Sequence, residues 1–447
     1  MQKDVEKKKG TLDRWMDFIE RVGNALPDPV SLFIILAVIV VVLSAIFGSM
    51  GMSAVHPGTG KTITVVNLLT KDGFRQMYSK AVNNFASFAP LGMVLVCVIG
   101  AAAAEKSGFL VALMQRVMRG AKSWVVTFAI LFVGINANVA GDAGFIVMPP
   151  LAAVIYMGIG RSPVLGMFVA FAGVAGGFCA NMILGMSDAL AYGFTEAAAK
   201  MIDPSYQQSM AVNWYFLIVS CITLTIGGTL LVEKFLVHRF PCTKEDLAKF
   251  DFDESSADLK PEQIRGLKWG LTALAVYLLV LLGMCVGADP LLADPKTHSI
   301  MSPKAPFMSG IILTVAFALL VVGAGYGFGS GKYKNDKDLF ADIVLGFKDM
   351  SSYILLCFFI SQFTSYFAWS NLGMVMAIKG AEVLKELNFT GAPLLIGLVF
   401  VSCIINLFIG SASAKWAILA PIFVPMLMIM GYDPAVAQVA YRIGDSI

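Results

Sequence analysis

Two segments of this chain, 271 residues apart, carry the same unusual pattern of prolines and glycines. Pro150–Pro163 and Pro421–Pro434 each span a 13-residue step between two prolines, and each has a glycine three residues before the second proline (Gly160, Gly431). Proline lacks a backbone donor and glycine lets the backbone turn freely, so both residues interrupt helices. Interruptions that recur in both halves of an apolar chain are typical of transporters with broken transmembrane helices.

The composition indicates a polytopic membrane protein. Of its 447 residues, 57% are hydrophobic and 14% are charged, against roughly 25% charged residues in soluble proteins. Apolar runs of about 20 residues, enough to cross a bilayer, are predicted near 29–49, 86–104, 123–139, 163–182, 212–233, 267–287, 305–326, 353–369 and 393–409. Shorter apolar pieces at 145–159 and 414–430 favour helical hairpins or half-helices. The net charge of +3 gives no indication of a nucleic-acid partner.

The distribution of charge predicts the domain organisation. Basic residues cluster in four segments that the positive-inside rule places in the cytoplasm: 3–21, 106–122, 234–268 and 332–348. We therefore predict a cytoplasmic segment at 1–28, a first transmembrane repeat at 29–237, a cytoplasmic linker at 238–266, and an extra span plus a second repeat at 267–447. With this threading the two repeats are inverted in the membrane, and the protein is all-α, with broken helices and hairpins.

The symmetry of the repeats also bears on the C-terminus. Ile447 corresponds to Gly176 at the 271-residue offset, and the first half continues for 64 residues beyond Gly176. A second half of the same length would continue for roughly 60 residues beyond Ile447. A C-terminal truncation relative to the repeat is therefore expected.

The glycine-rich break in the first half predicts a binding site. The run from Gly173 to Asp188 contains four glycines together with Asn181, Ser187 and Asp188. Irregular backbone inside a membrane is stable only where it faces protein or a watery cavity, so its free amides and carbonyls are available to a solute or ion. A carboxylate at membrane depth is costly without a partner, which makes Asp188 the candidate carrier of a proton or cation. Alternatively, Asp188 lies at the outer mouth and caps the following helix.

The counterpart in the second half is Phe408–Trp416. Ser411 and Ser413 lie among small residues, which suits a hairpin tip or a helix N-terminus, where unpaired amides attract a carboxylate. Trp416 either stacks on an aromatic solute or anchors the chain at the membrane interface. Lys415 either neutralises an anion or extends its amine to water, and the second is the expectation.

Further polar residues near the breaks are candidates of two kinds. Arg442 and Asp445 are three residues apart, so on a helix they share a face and could form an ion pair. The Arg442 fork could instead bind a carboxylate of the solute in a bidentate manner. Amides and acids near breaks often only satisfy stray backbone groups, which makes four residues secondary candidates: Asn136, Asn138, Asp142 and Asn406.

Four segments carry a resemblance to one family: Ala180–Asp188 and Asn136–Pro150 in the first half, and Gly410–Pro425 and Gly431–Ser446 in the second. They resemble the AbgT family of p-aminobenzoyl-glutamate transporters, and the similarity covers essentially the whole chain. The resemblance implies a multi-pass homodimer in the bacterial inner membrane, with inverted repeats, two hairpins and a substrate site between the repeats. It places the functional positions on six residues of this chain: Asp188, Ser413, Trp416, Pro434, Arg442 and Asp445.

The family is described as importing p-aminobenzoyl-glutamate, and some members as proton-driven exporters of sulfonamide antimetabolites. Para-aminobenzoyl-glutamate has a flat aromatic ring and two carboxylates. An aromatic side chain could stack on the ring, and an arginine and the amides at a helix end could bind the carboxylates. We therefore expect a secondary transporter of such compounds, without a cofactor, in which Asp188 titrates and Arg442 holds a carboxylate. Moving one charge is worth about 2.3 kcal/mol per 100 mV, so one proton could concentrate a solute more than tenfold.

Two other functions compete with this hypothesis. A sodium-coupled dicarboxylate transporter would use the same serines, asparagines and unwound backbone to bind Na⁺, with Trp416 merely structural. A membrane-embedded enzyme would need a nucleophile–base pair or a metal cluster, and the sequence shows no such spacing. The repeated breaks favour alternating access over a channel.

Overall fold

The computed structural model describes residues 21, 27–55, 60–118, 122–137, 143–178, 180–242, 259–287, 289–302, 304–407 and 411–446. Asn138 and Asp142 lie outside the described residues, as do most of the predicted N-terminal segment and residues 243–258 of the predicted linker. Most of the described chain is helical.

The first half of the chain forms nine helices in the described residues, named here in chain order. They are α1 Pro29–Ser49, α2 Lys71–Ala86, α3 Ala89–Lys106, α4 Phe109–Met118, α5 Ser123–Ala137, α6 Ala143–Gly158, α7 Pro163–Gly176, α8 Met186–Ala199 and α9 Trp214–Leu231. A 3-10 turn, Met210–Asn213, precedes α9, and a π-helical turn, Val232–Leu236, extends it towards Arg239.

The described residues of the second half add eight helices to this series. They are α10 Pro261–Cys285, α11 Ile311–Ser330, α12 Asp336–Asp349, α13 Ser351–Trp369, α14 Leu372–Glu386, α15 Ala392–Asn406, α16 Ala412–Ile429 and α17 Pro434–Asp445. A single helical turn, Pro306–Ser309, lies between the first and the second of them. Local chemistry sets several of the boundaries. Asp28, for example, accepts a hydrogen bond from the Val30 amide at 2.9 Å, while Pro29 takes the first helical position, where its missing donor is not needed.

Seven helices of the described chain are long and apolar enough to cross a bilayer, which confirms the polytopic prediction. They are Pro29–Ser49, Lys71–Lys106, Met210–Arg239, Pro261–Cys285, Ile311–Ser330, Ser351–Trp369 and Ala412–Ile429. The span predicted at 163–182 is wrong in length, because α7 has 14 residues and ends at Gly176. At 1.5 Å per residue α7 measures about 21 Å, less than the roughly 30 Å of a bilayer core.

Two helical hairpins occupy equivalent positions in the two halves: α6–α7 and α16–α17. Both turn at a glycine in the left-handed region, Gly160 with φ +73° and Gly431 with φ +90°, a conformation that costs side-chain-bearing residues energy. Pro163 and Pro434 then begin α7 and α17.

The first proline of each step does not break a helix. Pro150 lies inside α6 and Pro421 inside α16, and both helices continue to the hairpin turn. The expectation that these prolines interrupt the chain is therefore wrong. Neighbouring groups in a membrane bundle can satisfy the carbonyl that a proline leaves without its donor, so the glycine turns make the breaks.

A half-buried ion pair links the turn of the first hairpin to the π-helical turn that extends α9. Arg161 donates from Nη1 and Nη2 to the two carboxylate oxygens of Glu233, at 2.6 and 2.8 Å, and Thr127 of α5 donates to Glu233 at 2.6 Å. These hydrogen bonds to Glu233 raise the pKa of Arg161 above its ordinary value. The turn of the second hairpin is held by a hydrogen bond between uncharged groups: the Tyr432 hydroxyl accepts from the Gly391 amide at 2.7 Å.

A small β-hairpin departs from the all-helical expectation. Strand β1, Ser53–Val55, pairs antiparallel with β2, Thr62–Thr64. It rests on the turn between α13 and α14, where Asn371 donates to the Thr64 carbonyl at 3.0 Å. The protein is otherwise the predicted helical bundle in its described part, whereas the inverted orientation of the repeats stays a prediction.

Candidate functional site

Residues 177–185 form the break in the first half, between the C-terminus of α7 and the N-terminus of α8. The break lies close against α5, because a Cβ atom on Gly177 would lie 2.4 Å from Cγ1 of Ile135. The amide side chain of Asn136 holds the segment by accepting a hydrogen bond from the Met182 nitrogen at 2.8 Å. Asn136 thus provides a hydrogen-bond acceptor for a backbone N–H group that the break leaves without a helical partner, as proposed for the amides near breaks.

The break in the second half leads into α16. Ser411 caps this helix by accepting a hydrogen bond from the Ala414 nitrogen at 3.4 Å, and its hydroxyl lies 3.2 Å from that of Ser413. The prediction of a helix N-terminus at these two serines is confirmed. Residues 408–410 of the predicted segment lie outside the described residues.

Asp188 forms a buried ion pair with Arg442. Its Oδ1 accepts from Nη1 of Arg442 at 2.7 Å, while its Oδ2 accepts from Asn181 at 2.8 Å and from the Gly185 amide at 2.7 Å. Asp188 is 0% exposed and Arg442 is 1% exposed. Asp188 therefore does cap α8, but it lies in the interior rather than at an outer mouth. Of the two possibilities for Arg442, the ion pair with Asp445 does not form, because α17 packs against α8 and Arg442 pairs with Asp188 instead.

Asp445 pairs instead with Lys415 of α16. The Lys415 amine contacts Oδ1 of Asp445 and the side-chain oxygen of Asn406. Asn406 also donates to the backbone carbonyl of Asp445 at 3.1 Å, and the Tyr441 hydroxyl lies 3.2 Å from Oδ1. Both charged side chains are 2% exposed, so the expectation that Lys415 extends to water is wrong. An interior carboxylate that attracts the amine explains the difference.

Trp416 lies in the protein interior and stacks on Tyr441, with ring centroids 4.4 Å apart and an angle of 18° between the planes. Its indole nitrogen donates to the Thr195 hydroxyl at 2.9 Å and to the Ala191 carbonyl at 3.1 Å. Trp416 therefore does not anchor the chain at the membrane interface. Its ring lines a cavity, as contact with a solute would require.

A chain of buried hydrogen bonds continues from this tryptophan. Thr195 donates to Gln438 at 2.7 Å, and Gln438 donates to the side-chain oxygen of Asn213 at 2.7 Å. None of these three residues was among the sequence candidates. Gln438 had a signal, since it lies four residues before Arg442 and seven before Asp445, on the same helical face.

A cavity of about 350 Å³ lies where α8, α13, α16 and α17 meet, within the size range of sites for small organic ligands. Its polar lining comes from Ser187, Asn406, Ser411, Ser413, Lys415 and Asp445, and its aromatic lining from Phe145, Phe178, Phe194, Tyr353, Trp416 and Tyr441. The Ser187 hydroxyl and Oδ2 of Asp445 are buried and have no hydrogen-bond partner among the described residues. Unpaired polar atoms in a cavity indicate a polar ligand or ordered water.

The structure thus divides the eight principal sequence candidates into three groups. Ser411, Ser413, Trp416 and Asp445 line the cavity. Asn181, Asp188 and Arg442 form a buried cluster and do not line it. Pro434 begins α17 and is eleven residues from Asp445, about 16 Å along the helix, so Pro434 shapes the hairpin turn instead.

Comparisons with known proteins agree with this architecture. The model of the AbgT putative transporter family matches residues 14–447. The p-aminobenzoyl-glutamate transport protein of Escherichia coli (strain K12) is 34% identical over 437 residues, which are 98% of this chain and 84% of that protein.

Two solved structures have the same fold. The YdaH transporter of Alcanivorax borkumensis, described as having an unusual topology, is 36% identical with a TM-score of 0.86, over 94% of this chain and 87% of that chain. MtrF of Neisseria gonorrhoeae, described as illuminating a class of antimetabolite efflux pumps, is 37% identical with a TM-score of 0.90, over 97% of this chain and 87% of that chain.

Proposed function

This chain belongs to the AbgT family of membrane transporters, and we propose that it carries p-aminobenzoyl-glutamate or a related aromatic carboxylate or sulfonamide by secondary active transport. One observation carries the proposal above the others. The interior cavity combines two helix N-termini and a lysine with a stacked pair of aromatic rings, which matches a ligand with carboxylates at one end and a flat ring at the other.

The two helix N-termini supply the sites for carboxylates. Met186 and Ser187 begin α8, Ala412 and Ser413 begin α16, and all four line the cavity. A helix N-terminus is equivalent to about half a positive charge and stabilises an anion by about 0.3–2 kcal/mol, depending on burial. The serine hydroxyls add donors for the same oxygens.

The aromatic lining supplies the site for the p-aminobenzoyl ring. Trp416 and Tyr441 are held in register by the hydrogen bonds of the indole nitrogen and by their own stacking. A third ring stacked on or packed edge-to-face against such a pair gains about 0.5–1.5 kcal/mol beyond its buried area. A sulfonamide antimetabolite carries the same kind of ring, so one cavity would accept both compounds.

The proton motive force would drive transport, and the two buried acids, Asp188 and Asp445, are the candidate proton carriers. Each acid is paired with a basic side chain, Arg442 or Lys415. After the acid is protonated, a solute carboxylate could replace it as the partner of that basic side chain. Arg442 donates to Asp188 through Nη1 and does not line the cavity, so a solute carboxylate held by Arg442 would compete with Asp188 for the guanidinium. The alternative is coupling to Na⁺, with the free oxygens of the cavity as its ligands.

We also propose that the protein lies in the bacterial inner membrane as a homodimer, as the family resemblance implies. Native mass spectrometry of the protein extracted with its lipids would test the stoichiometry. A monomer that transports at full rate would contradict the dimer.

The proposed activity is tested by uptake of radiolabelled p-aminobenzoyl-glutamate into proteoliposomes of the purified full chain. We expect accumulation under an imposed pH gradient, its collapse with a protonophore, and no change when Na⁺ is replaced by choline at fixed pH. Unlabelled glutamate, which lacks the ring, should not compete. Accumulation that needs Na⁺ would favour the alternative, and no accumulation under either gradient would refute the proposal.

A further inference from the structure

Lys415 and Asp445 are the only oppositely charged pair among the described residues that line the cavity. They contact each other directly and are both buried. The Lys415 amine is therefore already paired with the Asp445 carboxylate before any ligand binds. An anionic ligand that enters must compete with this carboxylate for Lys415, because a second anion beside an unpaired Asp445 would be strongly unfavourable in a buried site.

Asp445 is held more weakly than the other buried acid. Only its Oδ1 is engaged, by Lys415 and the Tyr441 hydroxyl at 3.2 Å, while Oδ2 has no hydrogen-bond partner among the described residues. By contrast, Asp188 accepts three hydrogen bonds on its two oxygens, all of 2.8 Å or less, and does not line the cavity. Of the two acids, Asp445 is therefore the one that a ligand can reach and displace.

We propose that Lys415 binds a carboxylate of the substrate and that this carboxylate displaces Asp445, which takes up one proton from the bulk solution (hydronium or buffer acid) as it leaves the ion pair. At this site the charges balance: one substrate carboxylate and one proton enter, Lys415 stays positive and Asp445 becomes neutral. This inference rests on the proposed function and adds to it a substrate-binding residue and the site of substrate-linked protonation. Substrate and proton are then bound at the same time, which is the linkage of co-transport.

Other ionisable groups surround α17 and define the competing explanations. The helices packed against it contribute Lys415 from α16, Cys403 from α15, and Asp188, Tyr192 and Glu196 from α8, and α17 itself carries Tyr441 and Arg442. Asp188 is already neutralised by Arg442, and Tyr353 of α13 also lines the cavity. The test must therefore separate protonation of Asp445 from protonation of Asp188.

Calorimetric titration of the full chain with p-aminobenzoyl-glutamate, in buffers of different ionisation enthalpy, measures the protons taken up per ligand. We expect uptake approaching one at pH 7–8 for the wild type, with affinity rising by up to about tenfold per unit decrease in pH. Asp445→Asn should bind the ligand without proton uptake. Asp433→Asn, an exposed acid that caps the other end of α17, should behave as the wild type.

A double variant, Lys415→Met with Asp445→Asn, tests the cation while leaving no buried charge unpaired. It should bind p-aminobenzoyl-glutamate roughly 10- to 100-fold more weakly, the loss expected for a charged hydrogen bond. Its affinity for the uncharged diamide of the same ligand should change by less than about threefold, which shows that the cavity is intact.

Several results would overturn the inference. Binding by the wild type without proton uptake, or undiminished uptake in Asp445→Asn, would remove Asp445 from this role, and the second result would point to Asp188. Unchanged affinity of the double variant for the dicarboxylate would remove Lys415. These outcomes leave the proposed function standing, whereas no binding of any aromatic carboxylate by the wild type would refute the proposed function and this inference together.

Discussion

Breaking the Asp188–Arg442 pair should destabilise the protein strongly, and the structure sets the size of the effect. The Asp188 carboxylate accepts hydrogen bonds from Arg442, Asn181 and the Gly185 amide, at 2.7–2.8 Å and without exposure to solvent. In Asp188→Asn a single oxygen must serve donors that now occupy two oxygens, and the new amide nitrogen faces another donor. The arginine also loses its counter-charge.

The expected loss is about 3–5 kcal/mol, the cost of leaving one member of a buried ion pair without its partner. Arg442→Met alone should cost a similar amount, because it leaves the carboxylate charge uncompensated. The double variant removes both charges, and the remaining amide oxygen can still accept from Asn181 and Gly185. We therefore expect it to be more stable than either single variant.

The free energy of unfolding would be measured by denaturant titration of the purified protein in detergent, followed by circular dichroism. Asp433→Asn serves as the control, since an exposed cap exchanged for another good cap should change stability by less than about 0.5 kcal/mol. If Asp188→Asn is as stable as the wild type, or if the effects of the two single substitutions simply add in the double variant, the buried pair does not hold α8 to α17.

Three further predictions test other parts of the structure. Gly177→Ala should cost about 1–3 kcal/mol, because its Cβ would lie 2.4 Å from a side chain of α5, whereas Gly176→Ala, with nothing within 4 Å, should be neutral or stabilising in the same titration. Trp416→Phe removes the indole donor and should raise the KM for p-aminobenzoyl-glutamate about fivefold, equivalent to about 1 kcal/mol, and an unchanged KM in the uptake assay would exclude the indole from positioning the ligand. Arg161→Ala and Glu233→Ala should each lower the unfolding temperature, and the double variant should lower it by less than the sum of the two effects. A strictly additive result would show that the ion pair between the first hairpin and the end of α9 does not contribute to stability.

The parts of the fold that depend on local chemistry could be predicted from the sequence. The hairpin turns at Gly160 and Gly431, the unwinding before Asp188 and the helix start at Ser411 follow from the conformational freedom of glycine and the capping ability of serine. These preferences act within a few residues, so they survive whatever the rest of the chain does.

The partners of the buried charges could not be predicted, because they depend on how distant helices pack. Asp188 and Arg442 are 254 residues apart, and nothing in the short-range pattern connects them. The Arg442–Asp445 spacing suggested a local pair, but packing of α17 between α8 and α16 gives each side chain a better partner on another helix. The expectation for Lys415 was wrong for the same reason, since its neighbours in sequence are uncharged and do not reveal the carboxylate that it contacts.

The central claim is that the cavity between the N-termini of α8 and α16 holds the carried compound. An experimental structure of the full chain with bound p-aminobenzoyl-glutamate tests this most directly. We predict that the ring packs against Trp416 and Tyr441, with a carboxylate at hydrogen-bonding distance, about 3 Å, from the Lys415 amine. A ligand bound elsewhere, with this cavity empty and the Lys415–Asp445 contact intact, would contradict it.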